Sequence, residues 1–507
     1  MDEYGRVTSE RKVAPEEWYD IYLERIESKQ KIRTKKKPLP KLDFRIPNTF
    51  KQFWIFTQRD VLSKLANRQF MLLYFLQAPL LALVMAWFTR YTSESSATGV
   101  YVFGDNENLP PFMFMGIIVS LFNGLMVSAQ EIIKDRTIIE RESFLNLSRL
   151  SYLHSKILVL FFISAIQTLT FVMVGNAVLE IKGMLFHFWA IFFTMSCVAN
   201  LIGLNVSSGV NSVVTANSVI PFIVVPQLLF SGVMIPFDRL NNLFENPAVV
   251  PVIGELMPSR WAYEAIAVQQ FKGNKFTREF FEIEQDRHNA IFESDLIREV
   301  EVILDDVYYT YDTTGGNIPE SSEESFALIR NELKDLSSLG VVASFGKLED
   351  FSRTGFSEAL YLTATDSLEK ASDRFKYLRN QAELREKALD SILIGQWGGA
   401  ESYNEMKRRH TNKRLEEMLL NKGQFLVKWN QSFIRKAAPI YHLPKSKTAR
   451  SHLFAPVKRV GPFYIDTYWF NLFIIWFSGL QLYITLQFDL LRRFTNWNQI
   501  RKLRKRS

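Results

Sequence analysis

The sequence contains one cysteine, Cys197, among 507 residues. A single cysteine excludes a disulfide framework and a multi-thiolate metal site, and its position in an apolar run indicates a buried structural residue. Histidine is also rare, and none of the six has the spacing of metal ligands: His154, His187, His288, His410, His442 and His452. The sequence therefore predicts no metal centre.

Motifs for several kinds of chemistry are missing as well. The chain has no GxxxxGK[ST] phosphate-binding loop, no HExxH, no CxxC pair and no GxSxG,. The adjacent acids Asp305 and Asp306 lie in an acidic stretch that is typical of a solvated surface. The N-terminus has no apolar core of the kind found in secretory signal peptides, so none is expected,.

Long apolar runs are what the sequence does contain. A membrane-spanning helix needs about 20 mostly apolar residues. Six segments meet this requirement: 70–89, 111–130, 157–179, 185–206, 213–236 and 466–488. The net charge is +8, and the basic residues cluster beside these segments, which favours a membrane protein over a nucleic-acid-binding one,. The sequence predicts an all-α polytopic membrane protein with six transmembrane helices.

The distribution of lysine and arginine predicts the orientation of the chain. Basic residues are dense before the first span and after the last, and the connector 131–156 between spans two and three is also basic. The connector 91–111 has acids and neither lysine nor arginine. Both termini are therefore expected in the cytoplasm, and residues 91–111 on the outer side.

The segments outside the spans divide the chain further. Residues 1–45 are predicted to be a cytoplasmic linker, 46–69 an amphipathic connecting helix at the membrane surface, 237–272 a re-entrant outer segment and 491–507 a basic cytoplasmic tail,. The remaining segment, 273–462, is predicted to be a large, mostly helical outer insertion between spans five and six (the sixth span being 463–490). In its helix 366–395, one face carries Phe375, Leu378, Ala382, Leu389 and Ile392,. Residues 401–437 are expected to continue as helix.

The connector 131–156 is too charged to enter a membrane and too rich in isoleucine and leucine for a plain loop. Its pattern predicts a cytoplasmic amphipathic helix within the larger segment 70–236. Apolar positions would anchor this helix, and its charged residues would face a partner or, alternatively, simply solvent.

Amide side chains are the main polar groups within the spans, since charges are few. Such amides either form interhelical hydrogen bonds or line a substrate path. The absence of a chain of ionisable groups across the membrane argues against a proton-coupled carrier.

The order of these parts resembles a known family. The amphipathic helix, the charged connector, the run LLFSGVMIPFDRL at the end of span five and the run MPSRWAYEAIAVQQF after it are similar to the membrane domain of ABC-2 type ABC exporters, particularly the G subfamily. The resemblance covers roughly residues 45–271 and 466–490. The long outer insertion departs from the family pattern, so the substrate is not inferred from it.

The resemblance implies roles for particular residues. The connector would couple to an ATPase through Ile138, Ile139, Glu140, Arg141, Glu142 and Phe144, with Glu142 the counterpart of the family's R-E element. Spans two and five would line a path for an amphipathic or lipid-like substrate, with Asn123, Asn217, Phe222 and Gln227 as candidate lining residues.

The resemblance also implies partners. These are an ABC nucleotide-binding domain that would hold ATP and magnesium, a second copy of the membrane domain and the lipids of a bacterial inner membrane, with no nucleic acid and no cofactor in this chain. The ATPase half would be either a missing N-terminal part or a separate subunit. The alternative is a non-transporting scaffold or receptor whose outer domain binds a partner.

Overall fold

The structure is a computed structural model that describes residues 15–29, 47–92, 101–142, 147–241, 248–340, 345–421 and 425–494. It divides into two units, residues 1–47 and 48–507. The first unit contains helix α1 (Pro15–Tyr22), which continues as a π-helical turn over Leu23–Glu27. The predicted linker 1–45 therefore contains helix in its described part, and the rest of it lies outside the described residues.

The second unit begins with the helices of the predicted membrane part. They are α2 (Thr49–Ala66), α3 (Arg68–Thr89), α4 (Leu109–Ser128), α5 (Glu131–Glu142), α6 (Arg149–Leu179), α7 (Leu185–Gly209) and α8 (Val213–Leu229).

The helices that follow belong to the re-entrant segment, the insertion and the last span. They are α9 (Val252–Glu255), α10 (Pro258–Lys272), α11 (Thr277–Thr313), α12 (Glu323–Ser338), α13 (Glu358–Gln396), α14 (Ala400–His410), α15 (Lys413–Leu420) and α16 (Thr467–Gln487). The strands form two antiparallel hairpins: β1 (Leu426–Trp429) with β2 (Ser432–Arg435), and β3 (Val457–Val460) with β4 (Phe463–Asp466).

Five helical segments in the described residues are long and apolar enough to cross a membrane: Met71–Thr89, Leu109–Glu142, Arg149–Leu179, Leu185–Gly209 and Thr467–Gln487. The predicted fifth span, 213–236, is different. Its helix α8 has 17 residues, carries Pro221 and Pro226 inside, and ends at Leu229. The chain then turns at Gly232, whose φ is +77° and whose missing side chain leaves room for the Phe237 ring,.

Small residues allow α4 and α7 to approach closely. A Cβ atom on Gly124 would lie 2.7 Å from both the Ala199 Cβ and the Ser196 carbonyl oxygen. A Cβ on Gly203 would collide with the Ser128 hydroxyl, at 1.9 Å. Close backbone approach at small residues is a common way to pack helices in lipid, where the hydrophobic effect does not drive association.

The predicted amphipathic helix α2 turns its polar side toward the protein. Gln52, Thr57 and Asp60 are buried, whereas Phe50 and Trp54 are 73% and 61% exposed. An exposed aromatic face opposite a buried polar one is unfavourable in water and suits a helix that lies at a membrane surface.

The predicted single helix 131–156 is wrong in its extent. Helix α5 ends at Glu142, and α6 starts at Arg149 with Ser148 as its cap, the Ser148 hydroxyl accepting a hydrogen bond from the Ser151 N–H. A serine cap begins a new helix because it satisfies a backbone N–H that would otherwise lack a partner. The residues between, 143–146, lie outside the described part.

Long helices dominate the insertion, as predicted, and α11 packs along α13. Phe375 and Ala382 are buried at this contact, and Leu389 is partly buried, but Leu378 and Ile392 are 37% and 54% exposed. The predicted face was therefore too wide. The helical prediction for 401–437 fails after α15, since Leu426–Arg435 form the first hairpin.

A fully buried ion pair joins the second hairpin to the re-entrant segment. Lys458 on β3 donates to a carboxylate oxygen of Glu264 on α10, at 2.7 Å, and Asn471 on α16 donates to the other oxygen, at 2.8 Å. Arg260 lies 3.4 Å from Glu264, and none of the three charged side chains is exposed. Burial lowers the pKa of Lys458 to about 8, against the opposing effect of Glu264, and the nearby Arg260 lowers it further,.

A carboxyl group in the insertion gives the fold a pH dependence. Burial raises the pKa of Glu293 on α11 from 4.5 to about 7, although Arg435 acts in the opposite direction. The folded state therefore holds this proton more tightly than the unfolded state, and stability is lost as the pH rises from about 4.5 to about 7.

Glu293→Gln is accordingly expected to raise the free energy of unfolding by about 1–3 kcal/mol near pH 8, with the gain shrinking toward pH 5. Thermal unfolding of the purified chain at the two pH values measures it. Asp295→Asn on the same helix, whose carboxylate is paired with Arg298 and is 35% exposed, is the matched control. Equal effects of Glu293→Gln at both pH values would contradict the expectation.

Candidate functional site

Charged side chains of three helices meet beneath the apolar spans. Lys156 of α6 pairs with Asp60 of α2 and, at 3.0 and 2.9 Å, with Glu131 and Asp135 of α5. Lys64 of α2 pairs with Asp60 at 2.9 Å and with Glu131 at 2.8 Å. We call these five residues the buried ion cluster, since all but Asp135, at 22%, are 10% exposed or less.

The cluster ties its helices together firmly. Charges withdrawn from water are tolerated only when each is paired, so moving any one helix away would leave a charge unmatched. Around it, Phe56, Ile132, Ile139, Leu147 and Tyr152 form an apolar contact, and the Tyr152 hydroxyl donates to Asp135 at 3.1 Å.

Helix α5 is also held by the end of α7. The Ser207 hydroxyl accepts hydrogen bonds from the N–H groups of Ile132 and Ile133, at 3.0 and 3.2 Å. Arg136 donates to the Val210 carbonyl at 2.9 Å and to the Asn211 side chain at 2.8 Å. Movement of α5 must therefore displace α2, α6 and α7 together with α4, which precedes it by two residues.

The predicted coupling residues fall into three groups. Ile139 packs inward, and Glu142 accepts hydrogen bonds on both oxygens from Arg59 of α2, at 3.1 and 3.2 Å. Ile138, Glu140 and Arg141 are exposed. Phe144 lies outside the described residues.

Sequence reasoning missed the buried ion cluster as a unit. Asp60 and Lys64 lie away from the apolar positions of α2, and their spacing of four residues places them side by side on that helix. Lys156 was used only as an orientation signal. The available hint was a lysine at the start of an otherwise apolar span, where a charge needs a partner.

A cavity of about 370 Å³ opens beside α5. Its apolar lining comes from the contact around Phe56 and Tyr152, and its polar lining includes Arg136, Arg149 and Asp489. Arg149 forms an ion pair with Asp489 at the end of α16. The last span therefore borders the same cavity as the connector.

The predicted path residues are placed on two sides of their helices. Asn123 is buried and accepts a hydrogen bond from Gln77 of α3 at 3.0 Å. Gln227 is buried and binds Ser259 at the start of α10, through its side chain at 3.0 Å and its carbonyl at 2.8 Å. The other two lie on the exposed side of α8, where Asn217 accepts from Gln130 at 3.1 Å and Phe222 is 80% exposed.

Comparison with known protein families gives one match. Residues 51–271 match the family described as ABC-2 type transporter, from α2 through α10. Comparison with curated proteins gives no match.

Proposed function

Since residues 51–271 form the membrane domain of an ABC-2 type transporter, a transport permease component of the kind that generally partners with ABC ATPases, we propose that this chain is the permease half of an ATP-driven exporter. It would move an amphipathic or lipid-like substrate by alternating access, as a homodimer in a bacterial inner membrane with both termini in the cytoplasm. ATP and magnesium would be held by the ATPase, which is either another part of the same protein or a separate subunit.

The observation that carries the proposal is the attachment of α5. An exporter must convert closure of its ATPases into movement of its spans, which requires a rigid element continuous with them. Helix α5 follows α4 after two residues and is fixed to α2 and α6 by the buried ion cluster and to α7 through Ser207. A force on α5 would therefore reach several spans at once.

The exposed side of α5 is the proposed docking face. Ile138 is 43% exposed and Arg141 is exposed, while Glu142 is held by Arg59. We assign contact with the ATPase to Ile138 and Arg141, and assign to Ile139 and Glu142 the positioning of α5. The adjacent cavity of about 370 Å³ would accept an apolar side chain of the ATPase.

The exposed apolar face of α8 is the proposed site of the second copy and of the substrate path. Val214 and Phe222 are 76% and 80% exposed, with Val225 and Leu229 on the same helix also exposed. Asn217 and Phe222 would line the path between two copies. Asn123 and Gln227 would reach it only by giving up their hydrogen bonds to Gln77 and Ser259.

The docking face is tested by the double variant Ile138→Ala/Arg141→Glu, with the chain reconstituted alongside its ABC ATPase. Loss of a docking hot spot of 2 kcal/mol or more corresponds to about 30-fold weaker binding of the ATPase, with a parallel loss of stimulated ATP hydrolysis. The melting temperature of the chain should not change, because both side chains are exposed.

Lys51→Glu, a charge reversal on the exposed side of α2, is the control and should leave ATPase binding intact. If the double variant binds and stimulates the ATPase like the wild type, α5 is not the docking element.

The second candidate is a non-transporting scaffold or receptor. The insertion favours it, because α11, α12 and α13 have a hydrophobic core of their own around Phe326, Phe345 and Phe351. This candidate requires that partner binding to the insertion does not depend on ATP hydrolysis. Substrate movement that stops when the ATPase is inactivated would exclude it.

A further inference from the structure

The connector between α3 and α4 binds the far end of α6. The Tyr101 hydroxyl donates to the Leu179 carbonyl at 3.0 Å, and Arg90 stacks on the Tyr101 ring and pairs with Glu180 at 2.9 Å. Residues 180–184 make the turn from α6 into α7. Lys182 lies in this turn, beside the connector, and is exposed.

The same connector receives the end of α14 from the insertion. Asn412 donates to the carbonyls of Phe103 and Asn106, at 2.9 and 2.8 Å, and Lys413 pairs with Asp105 at 2.7 Å. The contact is close, since a Cβ atom on Gly104 would lie 2.9 Å from the Arg408 carbonyl oxygen. The last turn of α14 is thus fixed beside the turn that carries Lys182.

A third element meets α14 from the other side. The Phe276 ring, between α10 and α11, lies 5.4 Å from the Tyr403 ring and 5.7 Å from the Lys407 ammonium group. Its neighbour Lys275 is exposed. Three separate parts of the chain therefore bring cations to one surface, and we call Lys182, Lys275, Lys407 and Arg408 the basic patch.

Three acids near the basic patch already form ion pairs with other residues. Glu180 pairs with Arg90, Asp105 with Lys413, and Glu405 forms an ion pair with Arg409. Among the described residues, none hydrogen-bonds or ion-pairs with the side chains of Lys182, Lys275 or Arg408. Burial lowers the pKa of His410 beneath the patch, although its hydrogen bond to the Met406 carbonyl acts in the opposite direction. The positive charges of Lys275, Lys182 and Arg409 lower this pKa further.

The depth of the patch follows from the start of α7. Leu185 and Phe186, three and four residues after Lys182, are 45% and 54% exposed on a helix long enough to cross a membrane. Exposed apolar residues there belong in the acyl region, which places Lys182 at the level of the lipid headgroups.

We propose that the basic patch binds anionic phospholipid headgroups of the leaflet on the insertion side. Through this contact, α14 would hold the insertion against the membrane surface. Clustered lysine and arginine at headgroup depth attract anionic lipid, and the attraction weakens with salt. The proposal stands apart from the proposed function, because it holds for whichever side of the membrane carries the insertion.

Hydrogen–deuterium exchange of the whole chain in lipid nanodiscs tests it. Amides of residues 400–410 should exchange about threefold more slowly with about 30 mol% phosphatidylglycerol than in pure phosphatidylcholine. About 0.5 M salt should remove the difference, because it shortens the range of the attraction.

Lys275→Gln/Arg408→Gln should abolish the lipid-dependent slowing, while Lys370→Gln/Lys376→Gln on α13, which are also exposed cations, should retain it. Equal exchange in the two lipids would overturn the proposal. So would slowing in phosphatidylcholine on addition of inorganic phosphate, which would indicate a free-phosphate site, or slowing that persists in the Lys275→Gln/Arg408→Gln variant.

Discussion

Lys156→Met is expected to lower the free energy of unfolding by about 3–5 kcal/mol, the cost of breaking a buried ion pair from one side. Methionine nearly matches the length of lysine but supplies no charge. Asp60 and Glu131 would then share only Lys64, and Asp135 would lose the ion pair that it makes with Lys156. Thermal and chemical unfolding in detergent micelles measure the loss.

Lys134→Met is the matched control, because Lys134 lies on α5 next to the cluster but is exposed. Its effect should stay within the ±0.5 kcal/mol usual for surface changes. A second variant separates the effect of charge from that of side-chain shape. Adding Asp60→Asn to Lys156→Met removes one of the unmatched carboxylates and should recover part of the lost free energy of unfolding. If Lys156→Met and Lys134→Met unfold alike, the buried ion cluster does not hold the helices together.

Glu264→Gln is expected to have a similar effect, about 3–5 kcal/mol, at the opposite end of the membrane part. The carboxylate is the shared partner of Lys458 and Arg260, and its removal leaves Lys458 without its counter-ion and Arg260 with Glu255 alone, at 3.6 Å. Unfolding of the purified variant measures the loss. Lys458→Met should be milder, because Arg260 then still neutralises Glu264.

Two further variants complete this test. Glu264→Gln/Lys458→Met should unfold closer to the wild type than Glu264→Gln, since the lysine that lost its counter-ion is also gone. Glu279→Gln, which removes a 40% exposed carboxylate paired with Arg278, should change little,. Glu264→Gln that unfolds like Glu279→Gln would show that the pair carries no net stability.

The spans were predictable because lipid requires long apolar helices, and composition alone reveals these. The weakest prediction was span five: its apolar run continued to Pro236, but the helix ends at Leu229, shortly before the turn at Gly232. The predicted extent of helix 131–156 was also wrong, because the amphipathic pattern continues across Ser148, which caps a new helix.

Ion pairs between residues far apart in sequence could not be predicted. Lys156 and Asp60 are 96 positions apart, and Lys458 and Glu264 are 194 apart. The local sequence around each of these residues does not indicate which opposite charge it pairs with. The hairpin Leu426–Arg435 was missed for a related reason, since its strands have four residues each and lie in a basic stretch read as helix.

The contacts of residues 450–466 bear on how the chain is divided for protein engineering. Val250 bonds to Ser451, Arg450 bonds to the Val250 carbonyl, Phe454 bonds to Glu264, and Lys458 neutralises that same carboxylate. Although residues 450–462 belong to the predicted insertion 273–462, they complete the packing of α10 and α16 together with residues 463–466. A shortened chain, or a chimera that exchanges the insertion, should therefore place its second junction before Arg450. A junction at residue 462 would remove Lys458, the counter-ion of Glu264, together with the rest of the insertion.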